Sequence, residues 1–144
     1  MKNILMWIWQ FPQNLVGFIY SRFAKNKSRL VFEIDGKQGL HRAEVYFCPC
    51  FHSGVSLGDY IILDPIYMEI GWSDTVRHEY GHSVQSKRFG WFYLLLVGLP
   101  SVVNNLWDRL FHKEWTMYRR VRWYHSCYPE KQADLLGGLN RLGE

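Results

Sequence analysis

RHEYGHSVQSKRFG, residues 77 to 90, is the stretch on which the reading of the whole chain turns. His78 and His82 stand four apart, with Glu79 directly after the first. On an α-helix, residues i and i+4 share a face one turn apart, so the two imidazoles can offer nitrogens to one ion. Glu79 then lies about 100° further round, beside such an ion rather than bonded to it. There its carboxylate can take a proton from a water that the ion activates. A helix over 74–88 fits the flanking residues. Ser73 or Asp74 serves as N-cap, Lys87 and Arg88 sit near the negative end of the dipole, and Gly90 is a natural stop.

Catalytic zinc takes three protein ligands and keeps one position for water, so a third ligand must come from another element. Glu130 is the leading candidate, and Asp134 lies one turn beyond it on the same face. From there Asp134 can reach the outer nitrogen of a ligand histidine and fix its tautomer. Their helix is expected from about Pro129 to Arg141, with Pro129 in the first turn and Glu130 just inside. Gly137 and Gly138 toward its end, and Gly81 within the first motif, allow two helices to approach closely. A Glu/Asp pair four apart carries little weight alone and gains it from this context.

His78-Glu79-x-x-His82 followed by Glu130-Lys131-Gln132-Ala133-Asp134 resembles the gluzincin metallopeptidases. Within them the E-x-x-A-D form is similar to the CAAX-prenyl-endopeptidase and HtpX-type group. The resemblance covers residues 53–90 and 127–139, including more loosely the stretch GVSLGDYIILDP ahead of the helix. It implies a zincin-like fold and a Zn2+ cofactor bound by His78, His82 and Glu130. It also implies Glu79 as general base and acid, Asp134 orienting a ligand histidine, and a peptide or protein substrate. The chain departs from that group in having no clear transmembrane helix. The 48 positions from His82 to Glu130 also exceed the gap of thermolysin-like enzymes, so a long insert must fold back. A further donor to a developing oxyanion is usual in such sites. His125, Tyr124 and Tyr128 stand near Glu130 in sequence, and His125 is preferred among them.

The bulk properties bound the rest. A chain of 144 residues, 48% hydrophobic and 21% charged, fits one ordered domain with a real core. An aromatic share of 17% suits either a dense core or contact with a membrane interface. The net charge of +4 allows an anionic membrane surface as a second partner, and no motif points to nucleic acid. Cys48, Cys50 and Cys127 are too few, and odd in number, for a disulfide framework, which suggests thiols in a reducing, cytoplasmic compartment. Cys48-Pro49-Cys50 with His52 lacks the spacing of common zinc knuckles. His41, His52 and His112 read as surface or core residues.

Along the chain, residues 1–30 read as an N-terminal helical segment and 31–144 as the catalytic domain. The start lacks a cleavage site for a signal peptide and is too polar to span a bilayer. Leu15, Phe18, Ile19 and Phe23 recur at helical spacing and run into Lys25, Lys27 and Arg29. That pattern suits an interfacial anchor, peripheral on a membrane, or a helix packed on the core. VFEID and AEVYFC alternate around a turn bracketed by Gly36 and Gly39, and GVSLGDYIILD reads as a third strand ending at Asp64-Pro65. WFYLLLVGLPSVV, residues 91–103, falls short of the roughly 20 residues of a spanning helix and is interrupted by Gly98 and Pro100. It reads first as a buried core helix, and second as a segment dipping into a bilayer.

The fold class expected is therefore α+β, a small antiparallel or mixed sheet followed by the active-site helix and a C-terminal glutamate helix. Zinc-dependent hydrolysis of peptide bonds is the leading function. Its rival is a membrane-surface binding or adaptor protein with a structural or vestigial metal site, for which a fourth protein ligand would speak. A non-peptidase hydrolase using the same ion and base is not separated by sequence.

Overall fold

Alternating strands and periodic helices are realised in an α+β arrangement. In this computed structural model, residues 4–33, 40–49, 53–67 and 73–141 are described. The order is α1 (Ile4–Trp9), α2 (Phe11–Ser21), β1 (Asn26–Glu33), β2 (Leu40–Phe47), β3 (Gly54–Leu57), β4 (Tyr60–Leu63), α3 (Ser73–Phe89), α4 (Leu99–Phe111), α5 (Met117–Ser126) and α6 (Glu130–Leu136). A 3-10 turn at Gly90–Phe92 and a π-helical turn at Leu94–Gly98 connect α3 to α4. The turn expected between Gly36 and Gly39, and Cys50 and His52, lie outside the described residues.

Four strands make one mixed sheet in the order β1-β2-β4-β3. β1 runs antiparallel to β2, β2 parallel to β4, and β4 antiparallel to β3. β4 is all apolar, Tyr60-Ile61-Ile62-Leu63, and all four residues are buried because both its faces are covered. On one face Ala43, Val45, Phe47, Ile61 and Leu63 pack with Val76 of α3. On the other, Cys48, Tyr60 and Ile62 form a smaller cluster. α2 lies close to Tyr60, since a side chain at Gly17 would come within 2.8 Å of its ring.

Several sequence expectations are corrected. GVSLGDYIILD is a hairpin rather than one strand. It turns at Gly58-Asp59, where Gly58 has φ +67, and Asn14 Oδ1 accepts the Asp59 N–H at 2.8 Å. A Gly-Asp pair between apolar runs is a turn signal in its own right. The boundary at residue 30 falls within β1. The segment 91–103 is not a buried helix: Tyr93 and Val97 point inward, while Trp91, Phe92, Leu94 and Leu95 are exposed. α6 stops at Leu136, short of Arg141, because Gly137 and Gly138 end it. Gly138 takes φ +71, and Leu139 N–H bonds back to Asp134 O at 2.8 Å, a glycine-terminated helix end. Cys48 is disulfide-bonded, so the expectation of three thiols fails. Cys127 is a free thiol. Among the described residues, no helix is long and apolar enough to cross a membrane.

Candidate metal centre

α3 carries His78, Glu79 and His82 from below the sheet, and α6 crosses it closely enough to bring Glu130 and Asp134 to the same place. The crossing depends on two glycines. A Cβ at Gly81 would lie 1.9 Å from Ala133 O, and one at Gly137 would lie 2.1 Å from Arg77 O. Backbone meets backbone at both points, so no larger residue fits without separating the helices.

At the crossing, His78 Nε2 and His82 Nε2 lie 3.0 and 3.2 Å from the same oxygen, Glu130 Oε2. Their rings meet edge to face at 4.8 Å between centroids. Each outer nitrogen has its own partner. His78 Nδ1 is 2.7 Å from Asp134 Oδ1, and His82 Nδ1 is 2.8 Å from Gln85 Oε1. Gln85 is itself pinned, donating to Pro129 O at 3.1 Å and to Gln132 Oε1 at 2.9 Å. Acceptors at both outer nitrogens favour Nδ1–H on each ring, which turns both Nε2 lone pairs toward Glu130.

With those tautomers three acceptors face one another, an arrangement that favours a cation or a proton between them. In the metal-free protein a proton can fill that place. Burial opposes a charge on His78, but its hydrogen bonds to Asp134 and Glu130 outweigh this and push the imidazole up to about 10. Burial likewise favours neutral carboxyls at Glu130 and Asp134. Contacts with His78 and His82 for Glu130, and with His125 and His78 for Asp134, win instead and hold both well below the usual carboxylate range. Glu130 is 1% exposed, and its Oε1 has no hydrogen-bond partner among the described residues.

Glu79 lines the same cleft and is 5% exposed, with Oε2 also lacking a hydrogen-bond partner. Its carboxylate lies against β3, where a Cβ at Gly54 would come within 2.6 Å of Oε1. Burial raises its carboxyl above the usual range, against the pull of the His82 and His78 imidazoles.

Of the three residues considered as further donors, Tyr124 and His125 line the cleft, whereas Tyr128 does not and offers its carbonyl to Asn104 at 2.7 Å. His125 Nδ1 lies 2.9 Å from Asp134 Oδ2 but off the line of a hydrogen bond. The two trios of potential ligands are His78, His82 and Glu130, and His78, His125 and Asp134.

Residues that sequence reasoning missed complete the surroundings. Gln85, fully buried, follows His82 by three on the same helix. Arg141 Nε donates to Asp134 Oδ1 at 3.1 Å. Tyr93 donates to Ser56 O at 3.1 Å, and Ser101 Oγ lies 3.2 Å from Tyr124 Oη. The cleft these residues bound has a volume of ≈ 750 Å³ and runs between β3 and the segment 93–105.

Comparison with protein-family models found no match. Comparisons with characterised proteins and with solved structures found none either.

Proposed function

We propose that this chain is a zinc-dependent metallopeptidase. The observation that carries the reading is the convergence of His78 Nε2 and His82 Nε2 on Glu130 Oε2. Two imidazoles and a carboxylate are a donor set that suits Zn2+, and the buried, unpartnered Glu130 Oε1 fits a group evolved to bind a cation. Among the described residues no fourth His, Cys, Asp or Glu joins that trio. Zinc bound there would supply an acidified water and polarise a substrate carbonyl.

The chain's own groups suit the remaining work. Asp134 and Gln85 hold the two ligand rings in orientation. Glu79, raised by burial, can accept a proton from the attacking water and hand it to the leaving amine. Tyr124 and His125 stand across the cleft, where a donor can meet a developing oxyanion. β3 is an edge strand, and edge strands bind extended peptides through main-chain hydrogen bonds. Every second residue of an antiparallel strand turns its N–H and C=O away from its neighbour. Ser56 turns its carbonyl out to Tyr93, so Gly54 is the next residue facing out, and it adjoins Glu79. A peptide paired there would carry its backbone past the base.

Metal analysis of the purified protein, with peptide hydrolysis measured alongside, tests the reading. About one zinc per chain is expected, lost in Glu130→Ala and retained in Glu79→Gln, with hydrolysis abolished in both. A protein that takes up no zinc, or a Glu79→Gln variant that cleaves normally, would overturn it.

A further inference from the structure

α2 is folded inside out. Its polar residues Gln13 and Asn14, and Gln10 just before it, are all fully buried, while Phe18 and Ile19 are 47% and 50% exposed. The buried amides are well used. Gln13 Nε2 donates to Ser86 Oγ at 3.0 Å and to Gly90 O at 2.8 Å, and Gln10 Oε1 accepts from Ser86 at 2.7 Å. A helix in water presents the opposite arrangement, because apolar residues leave water first. α2 therefore packs on the body through hydrogen bonds and keeps its apolar stripe for something else.

The same holds for the segment after α3. Of the large hydrophobic residues exposed among those described, ten fall between 4 and 23 and twelve between 91 and 111, leaving six elsewhere. The two groups meet at Trp91, whose Nε1 donates to Ile8 O at 3.0 Å and whose ring lies 6.2 Å from that of Phe11. A continuous apolar surface of this extent marks an interaction site.

Charge selects the occupant. All 13 Asp and Glu residues lie between 33 and 79 or from 108 onward. The stretches 1–32 and 80–111 hold eight Lys or Arg and one acid, Asp108, which is paired with Arg120, while Lys27 is paired with Glu44 from elsewhere in the chain. Arg22 follows Phe18 by four and so continues the apolar stripe of α2, with Lys25 just beyond, both exposed. In a symmetric pair of copies this face would meet itself, cations against cations. An anionic bilayer answers both the apolar area and the charge.

We propose that α1, α2 and residues 91–111 dock on an anionic lipid bilayer and insert shallowly into it. The inference does not depend on zinc or on hydrolysis. Docking needs no spanning helix, since a monotopic face buries only to the level of the acyl boundary.

Flotation of the full chain with vesicles of phosphatidylcholine, or of phosphatidylcholine mixed with phosphatidylglycerol, tests it. The protein should float with the mixed vesicles and far less with phosphatidylcholine alone. Leu95→Asp combined with Leu106→Asp, at positions 59% and 53% exposed, should weaken partitioning by more than about tenfold. Met117→Asp, at a position 71% exposed but outside α1, α2 and residues 91–111, should leave it unchanged. Arg22→Gln and Lys25→Gln should each weaken binding to mixed vesicles by about fivefold. Should the double variant misfold by circular dichroism, quenching of wild-type tryptophan fluorescence by brominated lipids decides in its place. Failure of the wild type to float, absence of quenching, or a compact dimer in solution that the double variant dissolves would each overturn the proposal.

Discussion

Glu79 shows what a buried carboxylate does to stability. Its carboxyl is raised by burial above the value it has in the unfolded chain, with His82 and His78 only partly offsetting that. The folded state therefore binds the proton more tightly, and the stability this gives is present at low pH and lost as pH rises through the folded value. Glu79→Gln removes the liability. In the metal-free protein it should add on the order of 1 kcal/mol near neutral pH, and the gain should vanish toward pH 4 in urea titrations. A gain independent of pH would show that charge at Glu79 is not its source. Asp134 acts on the other side of His78, 2.7 Å from its Nδ1. Asp134→Asn should weaken zinc binding by about 10–100-fold in chelator competition, with the fold retained; unchanged affinity would mean the carboxylate does not tune the ligand. At this scale much was legible. His78, Glu79 and His82 announce themselves by a spacing that a helix turns into one face, whereas Glu130 and Asp134 gain weight only beside that motif. Gln85 and Arg141 were not legible, because a lone amide or guanidinium has no spacing that marks the atom it will meet across a helix crossing.

Helices α3 and α6 form the site only because they touch backbone to backbone. Gly81→Ala would drive a methyl into Ala133 O, and Gly137→Ala into Arg77 O. Each should destabilise the protein by roughly 2–3 kcal/mol in urea unfolding and release zinc in parallel, because the ligands sit on both sides of the contact. Gly98 is the control, since its nearest neighbour would be Leu94 Cδ2 at 3.7 Å. Gly98→Ala should be neutral or stabilising by up to about 1 kcal/mol. If all three glycines responded alike, helix propensity rather than the crossing would explain the loss. Small residues at 81 and 137 were readable as points of close approach. The hairpin at Gly58-Asp59 was missed, although its Gly-Asp pair interrupts the apolar runs on either side. The early end of α6 was also missed: Gly137 serves the crossing, and Gly138 beside it takes the left-handed conformation that stops the helix.

Across the whole molecule, the reading from sequence failed where it assumed that water lies outside. Periodicity locates an apolar stripe but says nothing of which way it faces. In α2 the stripe turns outward and the glutamine and asparagine side chains turn in, and in 91–103 only Tyr93 and Val97 face the body. The cleft shares this surface. Leu94, Leu99 and Val102 line it and are at least 38% exposed. A bilayer covering the apolar face would therefore lie at the mouth of the cleft, and the edge of β3 would accept a peptide held close to lipid headgroups. A peptide tethered to anionic vesicles should then be cut with kcat/KM at least about tenfold above that for the same peptide free in solution. Salt that screens the basic residues should remove much of that advantage. Leu95→Asp with Leu106→Asp should abolish the advantage while hydrolysing the free peptide as the wild type does, since neither residue lines the cleft. Equal rates on tethered and free peptide in the wild type would separate the two surfaces, leaving a cleft that works in water beside a face that merely holds the protein in place.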